Sequence, residues 1–112
     1  MTTSLNQARL KIDELDDQIL KILTQRAEVI EDITKAKSQQ GNINKADIFD
    51  PFREDQIINR MRSSNKSKLP EKAITAIFKT IIQSCRNLQY SNLTKAAPTK
   101  NNQRQAINEP LA

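Results

Sequence analysis

Apolar residues recur at helical spacing along the first forty positions. At 100° per residue, Ile12, Leu15, Ile19, Ile22, Leu23, Val29, Ile30 and Ile33 fall within about one 120° sector. Ser4 can cap the start, no Gly or Pro interrupts the run, and Gly41 supplies a stop. The pattern predicts a helix over residues 5–40, a rod of ~50 Å at 1.5 Å per residue. A compact chain of this size has a radius of gyration near ~13 Å. The apolar stripe of such a rod needs cover along its whole length. A homodimer in which long helices pair is the expected solution.

The remaining pattern predicts two further helices. GNINKADIFD, residues 41–50, reads as a polar loop. Asp50 and Pro51 then form a helix start, an N-cap followed by proline at the first helical position. This second helix is short, carries Ile57, Ile58 and Met61, and fades in SSNKSK. Pro70 opens a third, in which Ala73, Ile74, Ile77, Phe78, Ile81, Ile82, Cys85 and Leu88 keep helical spacing to about Leu93. No segment reads as a strand. The expectation is an all-α domain over residues 1–93, with three helices per chain, and a disordered tail over residues 94–112.

Composition narrows the chemistry. The 112 residues contain no His and one Cys, which removes imidazole acid–base catalysis, Ser-His-Asp and Cys-His arrangements, and disulfides. Structural zinc sites go with them, so neither a metal nor a cofactor is expected. With one Gly and four Pro, the chain lacks the turn residues of β sandwiches and barrels. Its 4% aromatic content is too low for a base-stacking RNA platform. The net charge is +5, unevenly spread. Residues 1–40 carry six basic and seven acidic side chains, and residues 41–93 carry nine and five. Such a surplus suits nucleic acid or a small anionic substrate. No apolar run approaches the ~18 residues of a membrane span. The lone cysteine and the absence of a signal-peptide pattern lead us to expect a cytoplasmic protein.

Two charges stand out on the first helix. With Ile12 at 0°, Arg26 falls at about 320° and Lys37 at about 340°, near the centre of the apolar sector. They are separated by ~16 Å of rise. Buried cations need anionic partners. The partner is either a carboxylate on a facing helix or a bound anion, unless the long side chains reach out to solvent. Arg9 lies about 100° from Arg26, so it is either solvated or directed at a partner chain's pocket. Asp50 is explained by capping alone. Arg53 and Glu54 in the same first turn suit either a surface or a site, although an Arg there opposes the helix dipole. Gln89 continues the stripe of Phe78, Ile81 and Cys85. It is either a helix end reaching solvent or a donor aimed into a pocket. Cys85 reads as a small buried apolar residue.

Taken in order, these motifs form a recognisable set. ARLKIDELDDQILKILTQRAEVIEDITKAK, then DPFRE, then IFKTIIQSCRNLQ resembles the all-helical class of chorismate mutases over roughly residues 5–93. The resemblance implies an intertwined homodimer of three-helix chains with two active sites, each built mostly from one chain. It implies the isomerisation of chorismate to prephenate, the branch step of the shikimate pathway toward phenylalanine and tyrosine. By the same resemblance Arg26 binds a substrate carboxylate and Arg9 comes from the other subunit. Lys37 contacts a carboxylate and the ether oxygen, and Gln89 donates to the same oxygen. Glu54 accepts from the ring hydroxyl, with the Asp50 backbone close by and Arg53 at the margin. Cys85 stands where such enzymes often carry Ser or Thr. The loop between Lys37 and Asp50 is about four residues longer than usual, which lets Asp47 compete with Asp50 for the hydroxyl side.

The reaction suits the inventory. A pericyclic rearrangement needs no nucleophile, metal or proton transfer. It needs a flexible dianion held in a compact shape, which guanidinium clamps supply. Charge that builds on the ether oxygen calls for preorganised donors. Three rival readings remain at the level of sequence. They are an isochorismate pyruvate-lyase on the same scaffold, a basic helical dimer that binds nucleic acid, and a weakly catalytic module that binds a partner enzyme.

Overall fold

The computed structural model describes residues 4–41 and 44–96. Four helices follow one another: α1 (Leu5–Gln39), α2 (Lys45–Ile48), α3 (Pro51–Ser64) and α4 (Glu71–Ala96). No strand occurs among the described residues. The three long helices are those the hydrophobic pattern predicts. The single turn α2 is a correction to the predicted loop over 41–50, and α4 continues three residues past the expected end at Leu93. Residues 97–112, the bulk of the expected tail, lie outside the described residues.

The helices α1, α2 and α3 each start where a side chain satisfies free backbone donors. Ser4 Oγ accepts from the Gln7 amide at 3.1 Å, while Gln7 Oε1 accepts from the Ser4 amide at 3.0 Å. This reciprocal pair is a capping box. Asn44 and Asp47 form a second one around α2. Asp47 Oδ2 accepts from the Asn44 amide at 2.7 Å and Asn44 Oδ1 accepts from the Asp47 amide at 3.3 Å. Asp50 Oδ1 takes the Arg53 amide at 3.0 Å, with Pro51 at the first position of α3. After α1 the chain passes through Gly41 at φ +153°, a conformation that side-chain-bearing residues rarely adopt. Between α3 and α4, Asn65 Nδ2 donates to the Leu69 carbonyl at 2.9 Å and closes the turn.

The chain is elongated, 62 × 31 × 22 Å, with a radius of gyration of 18.2 Å. The second half of α1 packs on α4, which also receives α2 and α3. The pairs Arg26–Cys85 and Thr34–Gln89 rise together in number, so α1 and α4 run in the same general sense. The first half of α1 projects free, and every described residue from Ser4 to Ile22 is exposed. The predicted stripe is therefore only partly covered by its own chain. Leu23 and Ile30 are half-buried, whereas Ile12, Leu15, Ile19, Ile22, Val29 and Ile33 remain 42–60% exposed. Among the described residues, Ile48, Ile82 and Cys85 are the buried apolar side chains. A core of that size is small for a chain of this length.

Candidate active site

Three of the side chains singled out in the sequence, Arg26, Cys85 and Gln89, come together where α1 crosses α4. Arg26 is half-buried on α1, and its Nη1 donates to Cys85 Sγ on α4 at 3.0 Å. One turn further along α4, Gln89 Nε2 donates to Thr34 Oγ1 at 3.0 Å. Both of these residues are buried, at 8% and 7% exposure. Thr34 in turn donates to the Ile30 carbonyl at 3.1 Å. Asn92 Nδ2 and Glu31 Oε2, 3.5 Å apart, add a third polar contact between α1 and α4. A buried hydrogen bond of this kind contributes about 1 kcal/mol net, and leaving one member unpaired costs about 1–3 kcal/mol.

Lys37 lies one turn beyond Thr34 on α1. Its ammonium donates to the Asp47 backbone carbonyl at 3.0 Å, so it caps the end of α2. Lys37 is exposed. The choice left open by the sequence is thereby narrowed. Among the described residues, neither Arg26 nor Lys37 is paired with a carboxylate. Arg26 has a sulfur as its neighbour, a weak acceptor that cannot neutralise a guanidinium. Lys37 has a carbonyl oxygen and water.

Of the candidates for the hydroxyl side, Glu54 enters a second cluster, which joins α3 to α4. The Arg86 Nη2 donates to Glu54 Oε1 at 3.2 Å, and Arg86 Nε lies 3.1 Å from Glu54 Oε2. The Nε approach is off the N–H axis, so the pair holds one hydrogen bond and one ion contact rather than a symmetric fork. The Arg86 guanidinium also lies 4.8 Å from the centre of the Phe49 ring. That contact fixes the segment between α2 and α3 against α4. Asp50 and Asp47 both spend their carboxylates on helix starts. Arg53 is exposed in the first turn of α3. Arg9 is exposed on the free arm of α1, ~25 Å of helix rise from Arg26, so one chain does not bring the two together.

Two members of these clusters escaped the sequence reading. Thr34 sits at about 40° on the α1 wheel, just outside the apolar sector, and its partner is 55 residues away. Arg86 is one of four basic residues on α4, and its partner is 32 residues away. Neither spacing carries a local signal. Among the described residues, no group of three or more His, Cys, Asp or Glu could hold a metal ion.

The sequence profile of the chorismate mutase type II family matches residues 8–90. The chain belongs to the chorismate mutase type II family. That match spans all eight site residues predicted from sequence, from Arg9 to Gln89, as well as Thr34 and Arg86. The chorismate mutase of Methanocaldococcus jannaschii is 34% identical over 90 residues, covering 80% of this chain and 87% of that protein. The bifunctional chorismate mutase/prephenate dehydratase of Pseudomonas aeruginosa is 28% identical over 119 residues, covering 96% of this chain and 33% of that protein. The bifunctional protein of Aquifex aeolicus is 30% identical over 89 residues, covering 76% of this chain and 24% of that protein. The chain thus spans about a third of the length of the first bifunctional relative, and most of the length of the archaeal one. The all-helical architecture of this family resemblance agrees with the absence of strands among the described residues.

Proposed function

We propose that this chain catalyses the rearrangement of chorismate to prephenate, working as a homodimer. The observation that carries the reading is the pair of cations on the α1 seam, Arg26 and Lys37, without carboxylate partners among the described residues. A dianion supplies what they lack. The Arg26 guanidinium has donors left after its one bond to sulfur, enough to hold a carboxylate. Lys37, which keeps two N–H donors beside the one given to the Asp47 carbonyl, and Gln89 stabilise the negative charge that develops on the ether oxygen as its bond to the ring breaks. Their donors are set before reaction, so they favour the transition state over the ground state. Glu54, paired with Arg86, is an acceptor for the ring hydroxyl.

Surface that one chain leaves open supports the dimer. The arm from Ser4 to Ile22 projects with Ile12, Leu15, Ile19 and Ile22 exposed. A second copy laid along this arm buries the stripe and carries Arg9 toward the partner's Arg26 pocket. No helix among the described residues is long and apolar enough to cross a membrane. A reducing, cytoplasmic setting suits the free thiol of Cys85. The test is loss of chorismate absorbance with purified protein, product identification, and sedimentation. Prephenate from a dimer is expected. Pyruvate release from isochorismate without prephenate formation, or a stable monomer with full activity, contradicts the reading.

A further inference from the structure

Thr34 and Gln89 are the two buried polar residues among those described, and they bond to each other. A hydroxyl has a single proton, and Thr34 gives it to the Ile30 carbonyl in the preceding turn. Toward Gln89 the hydroxyl is therefore an acceptor only. An acceptor selects the amide nitrogen. The two ends of a carboxamide are nearly equal in size, so packing alone does not choose between them. The Thr34 oxygen does, because a flipped amide would set Oε1 against a lone pair. The Gln89 nitrogen keeps a second N–H beyond the one given to Thr34.

We propose that Thr34 is a positioning residue for the reaction: it fixes the rotamer and the flip of Gln89, so that the second amide N–H is held ready as a donor. The inference rests on the mutase reading above, since Gln89 serves there as the donor to the ether oxygen. Thr34 lies eight residues after Arg26 and three before Lys37 on α1. The amide is thereby held in the stretch of helix that the two cations bracket. A free glutamine has three side-chain torsions to immobilise, and a donor fixed before substrate arrives needs no reorganisation at the moment of reaction.

The experiment uses the full chain, with Thr34→Val, Thr34→Ser, Gln89→Ala and the double variant Thr34→Val/Gln89→Ala. Valine keeps the shape and removes the acceptor, whereas serine keeps the acceptor. Thr34→Val should lower kcat about tenfold with KM within about twofold, at unchanged helical content, and Thr34→Ser should stay within about twofold of wild type. In the Gln89→Ala background, Thr34→Val should cost almost nothing more. Wild-type kcat in Thr34→Val, equal losses in the valine and serine variants, or fully additive effects would each overturn the proposal. An independent readout on the wild-type protein is the Gln89 side-chain amide in 15N-resolved spectra. One of its two protons should exchange far more slowly than those of exposed glutamines, and equal fast exchange of both contradicts the contact. If the wild-type protein fails to rearrange chorismate, the mutase reading falls and the positioning role with it. An active enzyme indifferent to Thr34→Val removes the positioning role alone.

Discussion

Arg26 Nη1 and Cys85 Sγ lie 3.0 Å apart, a guanidinium facing a thiol where α1 crosses α4. Sulfur accepts weakly, so the contact locates the guanidinium without satisfying it. A carboxylate arriving at this point meets a cation already aimed from a half-buried position. The same relationship gives Cys85 a role that its apolar stripe does not suggest. On the proposed reading it is the floor against which Arg26 rests while holding a carboxylate.

Cys85→Ser tests that role. A hydroxyl accepts and donates more strongly than a thiol and occupies less space. The variant should keep kcat within about threefold and bind substrate at least as well, since the added donor can reach a carboxylate. Steady-state kinetics with chorismate check this. A loss of a hundredfold or more would mean that the sulfur's bulk, and not its polarity, shapes the site.

Arg86 and Glu54 make a different prediction, about stability. Both side chains are about four-fifths buried, at 22% and 20% exposure. Arg86→Leu leaves the Glu54 carboxylate without its cation and removes the stacking on Phe49. The expected cost is about 1–3 kcal/mol, between the values for exposed and fully buried pairs. Thermal melting at fixed protein concentration should show a midpoint lower by several degrees. Adding Glu54→Gln should recover part of that loss, because the stranded charge is gone. An unchanged midpoint in Arg86→Leu would show that the pair contributes nothing.

Sharing of the site between subunits is tested by mixing two inactive proteins. On the proposed reading, Arg9→Ala and Arg26→Ala should each spoil every site of their own homodimers. In a mixed dimer one site keeps Arg26 from its own chain and Arg9 from the other. Random exchange makes half of the dimers mixed, so activity should recover to roughly a quarter of wild type. The check is activity after subunit exchange has been verified with differently tagged chains. No recovery would place Arg9 outside the site.

Local chemistry made much of this fold readable. Ser4, Asp50, Pro51 and Gly41 mark the helix ends they were expected to mark, because capping and backbone conformation act within a few residues. The apolar period located α1 and α4 for the same reason. α2 was missed because four residues hold no period, and its start depends on the Asn44–Asp47 exchange. The stripe of α1 is legible from its period, but a single chain half-buries Leu23 and Ile30 and leaves its other six members exposed. At the site, Arg26, Cys85 and Gln89 were visible as positions on apolar faces, and the structure places them where α1 meets α4. Thr34 and Arg86 were not, since a threonine beside a stripe and an arginine on a polar flank acquire meaning only from partners far along the chain. Lys37 was visible as a charge, but the Asp47 carbonyl that receives it belongs to the turn the pattern did not show.

The most direct measurement is the turnover of chorismate by the purified wild-type chain beside Arg26→Ala and Lys37→Ala, with circular dichroism on all three. Removal of one preorganised donor costs about 3–4 kcal/mol, or 10²–10³ in rate. We predict prephenate formation by the wild type, losses of at least that size in both variants, and unchanged helical content. Wild-type rates in either variant would contradict the claim that these two cations grip the dianion.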